Sequence, residues 1–391
     1  MEGTQSKKQK SVDWASYRPV IRSEWRCRGD QRWHACMRVV RMVFSKSAAP
    51  SPRAMIVIAL GLLAVQVEAA SYNINYGYSS GAYYPYSFVQ GGLYNYNYGY
   101  GSTISGGIGN KVYGSISNIL GGNSNYLSGP QSSINGGQIN TIYSVNYGAS
   151  IGGGYYNRIY NADYAASING GQYNYVGGSW SNVGGGKYNS IYGASYSGIS
   201  GGYGNRVYGS YAIIGGGNGN TAYASYSTIS GGAYNKAYYA GTVSGGMYNY
   251  AYEYCFIGGG HNNRATGAHQ TIGGGSLNTV SGSYSYIGGG LYNYIYDGDY
   301  CTIGGGTYNY QSKDYGTIVG GSYHSASAPY TTISGGWQNY ALGYAATSAG
   351  GMWLMAGGTR STTGGGRYNT AKAPYSTVGG GQYKYVLFSA V

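Results

Sequence analysis

Acidic and imidazole side chains are scarce in this chain: ten Asp and Glu and four His in 391 residues. The acids beyond residue 70 (Asp163, Glu253, Asp297, Asp299, Asp314) and the four His are scattered, which argues against acid/base chemistry. His261, His269 and Glu253 can be drawn as a metal site, but no short-spaced ligand cluster supports one. Asp297 and Asp299 flank Gly298 and read as a solvated turn, not a calcium loop. No catalytic residue, cofactor or metal is therefore expected. The Gly-Gly runs lack a following Lys-Ser/Thr and are no phosphate loop. No Asn-x-Ser/Thr acceptor occurs, so N-linked sugar is excluded. Cysteine is sparse too, at four residues. The main apolar run, around Met55–Leu63, has about thirteen apolar residues where a membrane span needs roughly twenty, so no stable membrane insertion is expected.

The first seventy residues differ from the rest, holding twelve of the 23 Lys and Arg, with Cys27 and Cys36. Lys46 and Arg53 precede the apolar run and Val67-Glu68-Ala69 follows it, the layout of a secretory signal peptide cleaved near Ala69 or Ala70. Residues 1–54 read as a basic leader, residues 55–70 as the signal segment, and translation is expected to start at Met42 or Met55. Beyond residue 70, eleven Lys and Arg stand against five acids, so the net charge falls from +13 to about +6. That mild, dispersed balance suits contact with acidic polysaccharide or mineral surfaces and is no nucleic-acid footprint.

What is abundant is glycine (75) and tyrosine (53), set in a strict repeat. In the stretch Ser195–Asn235 an Ile (Ile199, Ile214, Ile229) is followed two residues later by Gly-Gly and six residues later by Asn (Asn205, Asn220, Asn235). Twenty such anchors run from Val89 to Val378, fifteen residues apart with excursions to fourteen, sixteen and seventeen, and eighteen are Ile or Val. Periodicity this regular specifies a solenoid. A second apolar position follows the Asn by two (Val112, Ile142, Val207, Ala222, Ala237). Each copy is thus two short alternating segments closed by Gly, with no room for a helix.

The expected fold is all-β: a two-sheet parallel β-solenoid (β-roll) of about twenty 15-residue coils over residues 89–384, a rod of roughly 95 Å. Residues 71–88 and 385–391 are expected as N- and C-terminal caps. The anchors, the small residues two places before them (Ser197, Ser227, Ser285, Ser376) and the second apolar site face inward, and Gly supplies positive φ at the corners. Asn205, Asn220, Asn235, Asn249, Asn263, Asn278, Asn293 and Asn309 are expected as a structural ladder on turn backbone and on one another. Cys255 and Cys301 fall inside, three coils or roughly 14 Å apart, beyond the ~7 Å reach of a disulfide.

Two outward surfaces follow. Just before the anchor, Thr103, Thr228, Thr242, Thr271, Thr302, Thr317, Thr332, Thr347, Thr362 and Thr377 mark a flat Thr/Ser face. Around the second apolar site, Lys111, Tyr113, Arg158, Tyr160, Arg206, Tyr208, Lys236 and Tyr238 mark a Tyr/basic surface. Further Tyr recur just before the Asn (Tyr156, Tyr173, Tyr188, Tyr234) and three before the anchor (Tyr196, Tyr211, Tyr226). The alternation N-x-V-x-G with its second half-coil resembles the left-handed β-roll of grass ice-recrystallisation-inhibition proteins. The I-x-G-G-x-x-N repeat is similar to head repeats of bacterial trimeric autotransporter adhesins. The resemblances imply a β-solenoid, with ice binding or adhesion as functions. From the residues, the expected function is a secreted structural or adhesive matrix, coat or fibre protein that self-associates. An ice-binding protein using the Thr face and a carbohydrate-binding adhesin are the alternatives.

Overall fold

The computed structural model describes residues 73–388 and the strands Ile21–Arg26 and Met37–Met42. The chain divides into two units, Met1–Ala70 and Ser71–Val391. In the first, Ile21–Arg26 pairs antiparallel with Met37–Met42. The expected apolar signal segment and its cleavage point lie outside the described residues.

The second unit is a parallel β-solenoid of twenty-one coils, with no helix among the described residues. Alternation holds only briefly in each half-coil, because the corners take most of the residues. The strands are two or three residues long, as in Thr228–Ile229 and Lys236–Ala237. Strands of one kind stack on the next coil in register: Ile214 pairs with Ile229 and Ile229 with Val243 in one ladder, Val207 with Ala222 and Ala222 with Ala237 in the other. A third ladder of single-residue bridges runs between them, through Tyr203, Asn218, Ala233 and Met247. Where coils have seventeen residues the surplus is absorbed in a turn, and Tyr147 bridges Tyr164 there while Ile134, Ile151 and Ile168 stay paired.

The ladders begin before the first Ile/Val anchor. Ile74–Asn75 pairs with Phe88–Val89 and Gly81–Ala82 with Tyr96–Asn97, so residues 73–88, expected as a cap outside the repeat, form a coil. Tyr385–Val386 likewise pairs with Thr370–Ala371 inside the last one. The repeat hides in the first coil because polar residues hold its key places: Asn75 takes the anchor position, and Ser80 Oγ accepts the Asn95 N–H.

The core is one file of side chains from each ladder, with the anchors from Val89 to Val378 and the second-site residues from Asn97 to Ala371 buried. Each coil contributes two or three such groups, worth about 1.5–3 kcal/mol for a fully buried Val or Ile. That is too little to order fifteen residues at about 1–2 kcal/mol each, so stability comes from stacking.

Two polar ladders close the corners. Asn205 Nδ2 donates to Gly201 O (2.9 Å) and to Gly217 O of the next coil (3.0 Å), while its Oδ1 accepts the Asn220 N–H (3.0 Å). The pattern recurs at Asn235, Asn249 and Asn263. The copies are thus joined mainly from side chain to backbone. At the opposite corner Ser197 Oγ donates to Gly209 O (3.0 Å) and accepts the Ala212 N–H (3.3 Å). Gly202 (φ +94°) has no room for a side chain, since a Cβ would overlap Gly217 O and the Asn205 amide.

Glycine is only part of the corner chemistry. Among the described residues, twenty-one of the thirty-nine non-glycine residues with positive φ are Tyr, including Tyr211 (58°), Tyr226 (62°) and Tyr234 (54°). They occupy two left-handed positions in each coil, five after and three before the anchor. The left-handed conformation costs an L-residue about 1–2 kcal/mol, and ring stacking, at about 0.5–1.5 kcal/mol per pair, offsets it.

Candidate functional surfaces

Tyr stacks lengthwise along the solenoid in columns. One runs beside the second ladder through Tyr83, Tyr98, Tyr113, Tyr126, Tyr143, Tyr160, Tyr175, Tyr192, Tyr208, Tyr223, Tyr238 and Tyr252. Its centroids are 4.3–6.3 Å apart. In ten of these coils the ring comes from the residue just after the second-site residue. In the other two that residue is Ser128 or Gly177, and the ring is supplied from two places earlier, by Tyr126 or Tyr175. Sequence reading by fixed position misses this continuity; the signal is a Tyr that appears where its neighbour is small.

A second column follows one corner for fourteen rings from Tyr147 to Tyr344, at 4.9–6.4 Å. His269 lies within it, at 4.9 Å from Tyr254 and 5.0 Å from Tyr284 with planes within 7°. The other corner carries shorter stacks, such as Tyr156–Tyr173–Tyr188 and Tyr292–Tyr308–Tyr323. Because most neighbouring rings lie face to face, they meet solvent mainly by their edges, while Tyr83 and Tyr175 lie along their own coil with the hydroxyl over Gly81 and Gly177. Burial raises the phenols of Tyr98, Tyr126 and Tyr175, and burial together with Tyr252 pushes Tyr238 up to about 12.

The basic residues do not converge. Lys111, Arg158, Arg206 and Lys236 stand two or three coils apart, roughly 10–14 Å. Arg158 lies over the corner ring Tyr156 (3.9 Å) and Lys236 over Tyr250 (5.0 Å), while Tyr113, Tyr160, Tyr208 and Tyr238 belong to the twelve-ring column. An open groove of about 500 Å³ lies beside the seventeen-residue coils, lined by Asp163, Tyr175, Ser179 and Tyr192. Asp163 Oδ1 there accepts from Asn146 Nδ2 (2.9 Å).

The Thr positions form a single column on the anchor ladder. Thr103 is next to Asn118, Thr228 pairs with Thr242, and Thr271 sits between Phe256 and Tyr286. From Thr302 the column is unbroken through Thr317, Thr332, Thr347, Thr362 and Thr377. The residue after each anchor in that run is Gly, Val, Ser or Ala, so the Thr file is one residue wide.

Cys255 and Cys301 are buried free thiols, and burial pushes Cys301 up to about 11. Among the described residues no three His, Cys, Asp or Glu side chains converge on a metal position, and no helix is long and apolar enough to cross a membrane. No protein-family model matches the chain, and comparison with curated proteins finds no relative.

Proposed function

We propose that this chain is a secreted structural unit of an extracellular matrix, coat or fibre, a Tyr-clad solenoid that self-associates and is joined through its phenols. The observation that carries the reading is the pair of long aromatic columns, mostly Tyr, whose stacked rings are half-exposed at residues such as Tyr113, Tyr143 and Tyr208. Ortho carbons and hydroxyls are the atoms through which phenols couple. The same stacking argues against a carbohydrate-binding adhesin, because sugar rings dock on aromatic faces and these faces are already covered by neighbouring rings. Acidic polysaccharide or mineral remains a fitting partner for the dispersed positive charge. Treating the full chain with a peroxidase and hydrogen peroxide is expected to give covalent oligomers bridged by dityrosine. Oxidised chains that stay monomeric would overturn the reading.

The six consecutive Thr from Thr302 to Thr377 favour ice binding as the second reading. Against it, a file one residue wide matches a lattice along one direction only. An ice-recrystallisation assay decides: activity lost in a Thr317→Tyr, Thr332→Tyr variant would install the ice reading, and inactivity of the parent chain removes it.

A further inference from the structure

The twelve-ring column is continuous even where its own sequence position fails. Tyr126 and Tyr175 come from a different place in the coil and lean across Ser128 and Gly177, so that no gap in the file exceeds one ring-to-ring step of 6.3 Å. A coating role would tolerate gaps. What needs continuity is transfer from ring to ring, and phenol is the side chain, with indole, that most readily gives up one electron.

We propose that the column from Tyr83 to Tyr252 passes oxidising equivalents along the solenoid by hopping between tyrosyl radicals, over about 50 Å in eleven steps. A one-electron oxidant, of the peroxidase or metal-polypyridyl class, takes an electron from one phenol, whose O–H proton leaves to water. The next phenol then gives an electron to that radical and its own proton to water. The first ring takes a proton back and is restored, so each hop leaves charge and atoms unchanged. Half-exposed side chains, as at Tyr143 and Tyr208, give the proton its route. The column ends on one side at Tyr252, since the next coil holds Thr266 at that place and the following one Ser281. The inference stands apart from the material reading, because a chain that never cross-links still passes a hole.

The test anchors the oxidant at that end. In a full chain with Cys27→Ser and Cys36→Ser, a ruthenium tris-bipyridyl maleimide is attached at Thr266→Cys, and Cys255 and Cys301 are spared by burial. Flash oxidation with persulfate in the presence of a phenoxyl-radical trap, followed by peptide mass spectrometry, locates the radicals. Trap adducts are expected as far as Tyr83 and Tyr98. In Tyr192→Phe, Tyr208→Phe the stacked rings remain but cannot carry the hole, and adducts from Tyr175 to Tyr83 are expected to be lost while those at Tyr223–Tyr252 persist. The pair Tyr196→Phe, Tyr211→Phe, in the corner column, is expected to change nothing. Adducts confined to Tyr238 and Tyr252 in the parent would overturn the proposal. So would an unchanged pattern in the first variant, loss in the second, or equal labelling of an isotope-marked chain carrying no ruthenium.

Discussion

Replacing His324 by Asn should mend the one Asn-ladder rung built from an imidazole. The neighbouring rungs show what is missing. Asn309 Nδ2 donates to Gly305 O and Gly321 O, each at 3.0 Å, and Asn339 Nδ2 to Gly335 O (2.7 Å) and Gly351 O (3.1 Å). His324 keeps the backbone link to Asn309 Oδ1 (3.1 Å), and its Nδ1 accepts the Asn339 N–H (3.1 Å). Its proton must then sit on Nε2, which is buried and makes no well-formed hydrogen bond, the Gly320 and Gly336 backbone giving it only partial support. An unpaired buried donor costs about 1–3 kcal/mol, so His324→Asn is expected to raise stability by about 2 kcal/mol at pH 7.5. Burial also lowers the imidazole pKa from its ordinary 6.5, and protonation would turn the acceptor of the Asn339 N–H into a donor. A depressed histidine pKa means the folded state takes up its proton later than the unfolded one. The parent therefore keeps its stability above about pH 6.5 and loses it as pH falls through that value toward the lower folded pKa. Urea midpoints and native-state exchange of the Asn339 amide, at pH 7.5 and pH 5, read both effects. The advantage of the Asn variant should widen on acidification. Equal midpoints at pH 7.5, or an advantage that narrows in acid, would refute the reasoning.

Tyr211 has positive φ and stacks on Tyr196 and Tyr226 at 5.0 and 5.2 Å. Tyr211→Ala should destabilise by about 1–3 kcal/mol through lost stacking, and Tyr211→Gly should be about 1 kcal/mol more stable than the Ala variant because it also relieves strain; urea denaturation ranks them. Gly202→Ala drives a methyl into Gly217 O and should cost about 3 kcal/mol, seen as faster exchange in the coils on either side. Thr363 holds an anchor position with its buried hydroxyl unpartnered, so Thr363→Val should gain about 1 kcal/mol, measured as slower exchange near the C-terminal end. Cys301, pushed up to about 11, should resist iodoacetamide at pH 8 along with Cys255, and both should react once the chain is denatured.

The fold was legible because its determinants are periodic: an Ile or Val every fifteen residues and an Asn six further on can satisfy their burial only by stacking like on like. The third ladder was not, because the residues at Ala233, Met247 and His261 face outward and nothing constrains their type; only their backbone is paired. The first coil escaped for a related reason, since Asn75 and Ser80 keep the geometry with different chemistry. Tyr recurrence was visible, but not its conformational role. Left-handed φ is ordinarily inferred from Gly or Asn, and here aromatic contact between coils holds Tyr in it. The Tyr126 and Tyr175 substitutions in the column depend on side-chain reach across two residues, which a count by position discards.

The inter-coil hydrogen bonds, such as Thr228 N–H to Gly241 O and Thr221 N–H to Asn235 O, point along the solenoid axis. A pull applied at the two ends therefore loads them in tension, like stitches being unpicked, rather than in shear across many at once. Coils should come away one after another at modest force, each converting under 5 Å of stacked height into roughly 50 Å of free chain. Mechanically such a solenoid is an extensible tether that dissipates work over many small steps.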